Sequence, residues 1–354
     1  FGIMEKESRT NSLIVSTHGL RKNRPDGVTN VILQSRDNLQ GRQILGREMN
    51  IRLAGPHIPD EKNNLADVTV GRRYRLSMNN TEFEASVLYR GKSKAKKFLQ
   101  EEKPDLIIVH QPVAGNVTHS LMTADKKEEI CFVGYFHAQA EKLDRKTRLL
   151  MLVEPFLRRP TLRGLTPGFK NTVNNRFDGR VAVSKVAGEF WDKYLPGDYE
   201  IIYNGIDTNR FKPKEPRKEW KQNGERIIFA AARFDERKGL HILLPAIRIL
   251  VFDYNMRDLR AKIAGDGKMR DELIALRSKL ALTDYVDFLG FIPEDELIDG
   301  YSSADVFASP VLGGEAFGLT LGEAMACETP VVGSNVRGYN EVIREDLPFA
   351  WLTN

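Results

Sequence analysis

Cysteine is scarce in this chain: Cys131 and Cys327 are the only two among 354 residues. Each lies inside an apolar stretch, so no disulfide framework is expected and a reducing compartment fits best. No apolar run is long enough to cross a bilayer, and no charged, apolar and small-residue leader opens the chain at Phe1. Asp-x-Asp does not occur, the 6 histidines stand at no metal-ligand spacing with cysteine, and no serine, Ser184 included, lies in a Gly-x-Ser-x-Gly elbow. Metal-dependent transfer and serine hydrolysis are disfavoured on those grounds. Internal repeats and low-complexity tracts are also missing.

What is present suffices for two packed domains, with 41% hydrophobic and 29% charged residues. The charge is uneven. Residues 1–208 hold 33 basic against 25 acidic side chains, whereas 209–354 hold 20 against 23. A basic first half suits an anionic partner such as a membrane surface, nucleic acid or a phosphorylated substrate. Short apolar runs at 12–17, 105–110, 131–136, 180–184 and 200–204 alternate with helical patterns, and the alternation resumes at 226–232, 261–267, 286–291, 305–310 and 330–334. Continuous apolar strands between helices predict two doubly wound parallel α/β domains, 1–208 and 209–354, with ligands bound in a cleft at the strand carboxyl ends. The charged, proline-containing stretch 208–225 reads as the linker.

The chemistry-bearing residues follow strands. In GGEAFGLTLGEAMA, Glu315 precedes a helix start and Glu323 lies about two turns into that helix. Amides around Phe317, Gly318 and Leu319 make an anion seat, and the carboxylates beside it suit the hydroxyls of a sugar or ribose. In AAARFDERKGL, Arg233 and Lys238 follow a strand and could face a diphosphate. Gly27 turns the chain between a strand and a helix in the first domain. His137 ends a strand, with His18 the lesser candidate. Singly, each has a plainer reading as a helix-start charge, a solvated loop or a structural histidine.

Together and in order, these pieces resemble the retaining GT-B glycosyltransferases of glycosyltransferase family four. The resemblance rests on EAFGLTLGE, RFDERKG, NGIDTNRF (204–211), GDGKMRDEL and VDFLGF, and it covers nearly the whole chain. Within the family, DGVTNVILQ, IIVHQPVAGNVTHSLM and YFHA are similar to phosphatidylinositol α-mannosyltransferases. Asp26-Gly27 stands where that group has a glycine pair. Family members continue with further helices, so a truncation after Asn354 is expected.

The resemblance implies a nucleotide sugar in the second domain, GDP-mannose before a UDP-sugar, and no cofactor or metal. Glu315 would bind sugar hydroxyls and Glu323 the ribose. Arg233, Lys238 and the helix amides would neutralise the leaving diphosphate, and His137 would reach the sugar. The acceptor would be a phosphatidylinositol-like lipid. Rival expectations are a UDP-sugar enzyme with another glycolipid, polysaccharide or soluble acceptor, and a GT-B sugar-nucleotide epimerase. A nucleic-acid partner is disfavoured by the acidic second half. Residues 81–100, read as one helix with Arg90, Lys92, Lys94, Lys96 and Lys97 close together, would rest on an anionic leaflet. The location expected is cytoplasmic, peripheral at the inner face of the cell membrane.

Overall fold

The structure is a computed structural model that describes residues 9–16, 20, 27–57, 64–78, 81–87, 91–110, 117–125, 128–137, 171, 174–221, 224–344 and 346–353. The chain forms two compact units that divide between Tyr203 and Asn204, rather than after Thr208 as the sequence suggests.

In the first unit, strands β1 (Arg9–Ser16), β6 (Leu106–His110), β7 (Cys131–Phe136), β8 (Gly179–Ala182) and β9 (Glu200–Ile201) are the five anticipated ones. The other four are β2 (Gln43–Ile44), β3 (Arg47–His57), β4 (Val68–Met78) and β5 (Thr81–Val87). The sheet order is β5-β4-β3-β1-β6-β7-β8-β9, with β2 and β5 antiparallel to their partners β3 and β4. Along β1, Leu13 and Val15 enter one apolar cluster while Ile14 enters another. Both faces of the sheet are therefore covered, as a doubly wound sheet requires. Helices α1 (Gly27–Leu39), α2 (Gly91–Glu102), α3 (Val117–Ala124) and α4 (Lys185–Asp192) belong to this unit. Ser184 caps α4, its hydroxyl accepting from the Ala187 amide at 3.0 Å.

The stretch 81–100 is not one helix. Its first part is strand β5, paired with β4 from Met78↔Thr81 to Arg72↔Val87, and the helix begins only at Gly91. TEFEASV alternates polar and apolar residues, which serves a strand at least as well as a helix. Ala95, Phe98 and Leu99 of α2 pack on the core, and Lys92, Lys94, Lys96 and Lys97 are exposed.

The second unit carries a six-stranded, all-parallel sheet in the order β12-β11-β10-β13-β14-β15. Its strands are β10 (Arg226–Ala231), β11 (Leu259–Ala264), β12 (Val286–Gly290), β13 (Val306–Ser309), β14 (Val331–Ser334) and β15 (Ala350–Thr353). Ile227 and Phe229 of β10 face one core, Ile228 and Ala230 the other. Helices α5 (Leu240–Arg248), α6 (Arg270–Lys279), α7 (Glu294–Ser303) and α8 (Leu319–Ala326) flank the sheet. Successive strands are added outward from β10 in one direction and from β13 in the other, so the loops after these two strands lie at the topological switch point where such sheets hold ligands.

The expected linker is part of this unit's body. Phe211 and Trp220 are buried in its core, Lys214 and Arg217 both pair with Asp299, and Lys221 pairs with Asp305. A charged, proline-bearing stretch reads as linker because its two anchoring aromatics are far apart in sequence.

Candidate active site

The switch point of the second unit gathers two cations on one carboxylate. After β10, Glu236–Lys238 form a single tight turn capped by Asp235, whose Oδ1 accepts from the Lys238 amide at 3.2 Å. The turn aims Lys238 and its neighbour Arg237 at the loop after β13. There Glu315 Oε1 accepts from Lys238 Nζ at 2.5 Å and from Arg237 Nη1 at 2.6 Å. Burial pushes the Glu315 carboxyl up, but the charges and hydrogen bonds of Lys238 and Arg237 outweigh it and hold the group below the usual carboxylate range. Two cations against one carboxylate leave the cluster net positive, a disposition suited to an anion.

The main chains are knitted as closely as the side chains. The Leu312 amide donates to the Arg237 carbonyl at 2.8 Å, and the Phe234 amide to that of Asp266 at 2.9 Å. Gly239, at φ 68°, begins α5 directly beneath the loop after β13, where a Cβ would stand 1.8 Å from the Pro310 carbonyl oxygen. Alanine at Gly239 is therefore expected to cost at least about 2 kcal/mol of stability through backbone strain and clash. A chemical denaturation midpoint within error of the parent's would contradict this packing.

Helix α8 opens at Leu319 behind the N-cap Gly318, so Phe317, Gly318 and Leu319 occupy its entrance, where a helix presents amides to anions. Tyr339 packs against Gly318, and its hydroxyl lies 2.6 Å from Ser309 Oγ. Glu323 does not join Glu315. It is 8% exposed and accepts a hydrogen bond on Oε2 from the Tyr301 hydroxyl of α7 at 2.9 Å. Burial pushes its carboxyl up to about 7, with Tyr301 opposing. Arg233 also stands apart from the pair: its side chain is 55% exposed and bonds Asp235 Oδ2 at 3.1 Å.

Within the first unit, Gly27 is the first residue of α1. His137 is buried just past β7, with Nε2 2.6 Å from Nδ1 of His110 at the end of β6, and both rings stack with Tyr135. His18 and Asp26 lie outside the described residues. Arg237, Tyr301, Tyr339 and His110 are absent from the sequence reading. Arg237 had a signal, since it adjoins Lys238 in ERKG, but helical and loop spacing do not say which of two adjacent cations turns inward. Tyr301 and Tyr339 contact the site from segments remote in sequence, where spacing carries no information.

Comparison with known proteins also matches the chain in two parts. The family model described as Glycosyltransferase Family 4 matches residues 27–210, and that described as Glycosyl transferases group 1 matches residues 211–348. Phosphatidyl-myo-inositol mannosyltransferase of Mycobacterium leprae is 27% identical over 323 residues, covering 91% of this chain and 78% of that protein. The protein of the same name from Mycolicibacterium smegmatis is 29% identical over 325 residues, covering 91% and 75%. The crystal structure of Anabaena HepE in complex with UDP has a TM-score of 0.71 at 19% identity, with 98% of this chain and 86% of that one covered, a likeness of fold.

Proposed function

The chain belongs to glycosyltransferase family four and has the GT-B fold, and from that premise we propose that it transfers mannose from GDP-mannose, with retention, to a phosphatidylinositol-like lipid. The observation that carries the donor half is the Lys238–Glu315–Arg237 cluster beside the start of α8 at the switch point. Lys238, Arg233 and the α8 entrance would take the diphosphate, stabilising negative charge as it develops on the leaving group. Glu315 would accept hydrogen bonds from sugar hydroxyls, and Glu323, positioned by Tyr301, from the ribose. The departing phosphate would help to remove the acceptor's proton, with no carboxylate pair flanking the bond. His137, held against His110 at the carboxyl edge of the first unit's sheet, is proposed as that unit's catalytic group. Mannose and a phosphatidylinositol acceptor are supported by the names of two relatives that match 91% of the chain.

The test is transfer of labelled mannose from GDP-mannose into vesicles containing phosphatidylinositol, with excess EDTA present. Labelled lipid is expected without added metal. Activity lost in EDTA and restored by magnesium or manganese would contradict the reading that protein cations alone meet the diphosphate.

Among the described residues no helix is long and apolar enough to cross a membrane. We propose that the exposed lysines of α2 rest on an anionic leaflet; since Phe98 and Leu99 are committed to the core, that contact would be electrostatic, without insertion. Neutralising Lys92, Lys94, Lys96 and Lys97 together is expected to weaken binding to anionic vesicles at least tenfold. Salt should do the same to the parent, because exposed charges are screened over about 10 Å at 0.1 M. Equal co-sedimentation of the two proteins at low salt would leave α2 with a packing role only.

A further inference from the structure

Arg237 has no ligand role in this scheme, yet its side chain reaches the loop after β13 at three successive residues. Its Nη1 reaches the Gly313 carbonyl at 3.3 Å, the Gly314 carbonyl at 3.2 Å and Glu315 Oε1 at 2.6 Å. Gly314 is left-handed at φ 70°, and a Cβ built there would stand 3.2 Å from Arg237 Cδ, so the arginine stem lies along bare backbone. The Arg237 carbonyl accepts from the Leu312 amide. Side chain and main chain of Arg237 thus hold the segment 312–315 from below.

Lys238 is bonded differently. Among the described residues its ammonium makes one side-chain hydrogen bond, to the same Glu315 oxygen that Arg237 holds. An ammonium on a flexible stem has further donors and can swing, while a planar guanidinium spread over three acceptors is fixed. The charges also differ in what their departure would cost. If Lys238 turned to an incoming diphosphate with Arg237 also gone, the buried carboxylate would lose both of the cations described on it, which is unfavourable. With Arg237 in place, the carboxylate stays paired.

We propose that Arg237 is a positioning residue that keeps Glu315 paired and in place, so that Lys238 is released to the diphosphate of the donor. The assignment rests on the donor reading of this site. It makes Glu315 a competitor for Lys238 whenever Arg237 is missing.

That competition is measurable by calorimetric titration with GDP and UDP, which carry the diphosphate without the sugar. Arg237→Gln is expected to weaken nucleoside diphosphate binding on the order of tenfold, the scale of one charge-assisted contact. Adding Glu315→Gln to that variant should restore binding to near the parental value, since the competitor for Lys238 is gone. Arg237→Lys, which keeps a cation on Glu315, should retain most of the affinity, and thermal melts of all variants establish that each is folded. Arg237→Gln binding like the parent, or a double variant binding no better than Arg237→Gln, would overturn the positioning role while leaving the donor reading intact. A direct contact between Arg237 and phosphate would give the second of these results. A parent that binds neither nucleotide would overturn the donor reading, and this assignment with it.

Discussion

Alanine at Lys238 or at Arg233 is expected to lower sugar transfer by roughly ten- to a hundred-fold at subsaturating donor, the equivalent of losing one charge-assisted phosphate contact. The two variants should differ in everything else. Arg233 is 55% exposed and bonded to Asp235 on the surface, an ion pair of little worth to the fold, so Arg233→Ala should melt with the parent. Lys238 is 19% exposed and shares Glu315 with Arg237, so its loss should lower the melting temperature modestly without unfolding the unit. Near-parental turnover in both variants would contradict the placing of the diphosphate at this turn.

The pH dependence of Glu323 should be as large and of opposite sign for folding and for binding. In the unfolded chain a glutamate titrates near pH 4.3, whereas burial raises Glu323 to about 7 in the fold, with the Tyr301 hydrogen bond partly offsetting it. A group raised on folding contributes its stability fully below the unfolded value and loses it as pH climbs through the folded one. The window is therefore about pH 4.3 to 7, and the loss across it is roughly 4 kcal/mol. Glu323→Gln can still accept from Tyr301 and carries no charge to bury. Its melting temperature should match the parent's below about pH 4 and exceed it at pH 8. Nucleotide binding should run the other way, because ribose hydroxyls donate best to the ionised carboxylate. Parental affinity should fall as pH drops below 7, and the variant should bind weakly with a flat profile. Parallel pH profiles for parent and variant would show that Glu323 is not the titrating group.

The fold was legible where strands are buried on both faces and helices alternate with them. All five strands read in the second half reappear as β10 to β14, each within a few residues of the apolar run that announced it. The first half yielded less because β3, β4 and β5 carry arginines and glutamates along their length, a polar pattern that single-sequence reading passes over. The sequence places Glu315 and Lys238 each on a loop after a strand, and in the structure the two side chains lie 2.5 Å apart. It could not show that Arg233 would pair with Asp235 or that Arg237 would take the inner position. A turn of three residues fixes which way each side chain points, and composition is blind to that choice.

The most direct measurement of the central claim is titration of the protein, in EDTA, with a panel of nucleotide sugars that includes GDP-mannose and several UDP-sugars. The account predicts that GDP-mannose binds without added metal, and that Lys238→Ala weakens it at least tenfold. Binding that requires added metal, or no binding by any member of the panel, would contradict it.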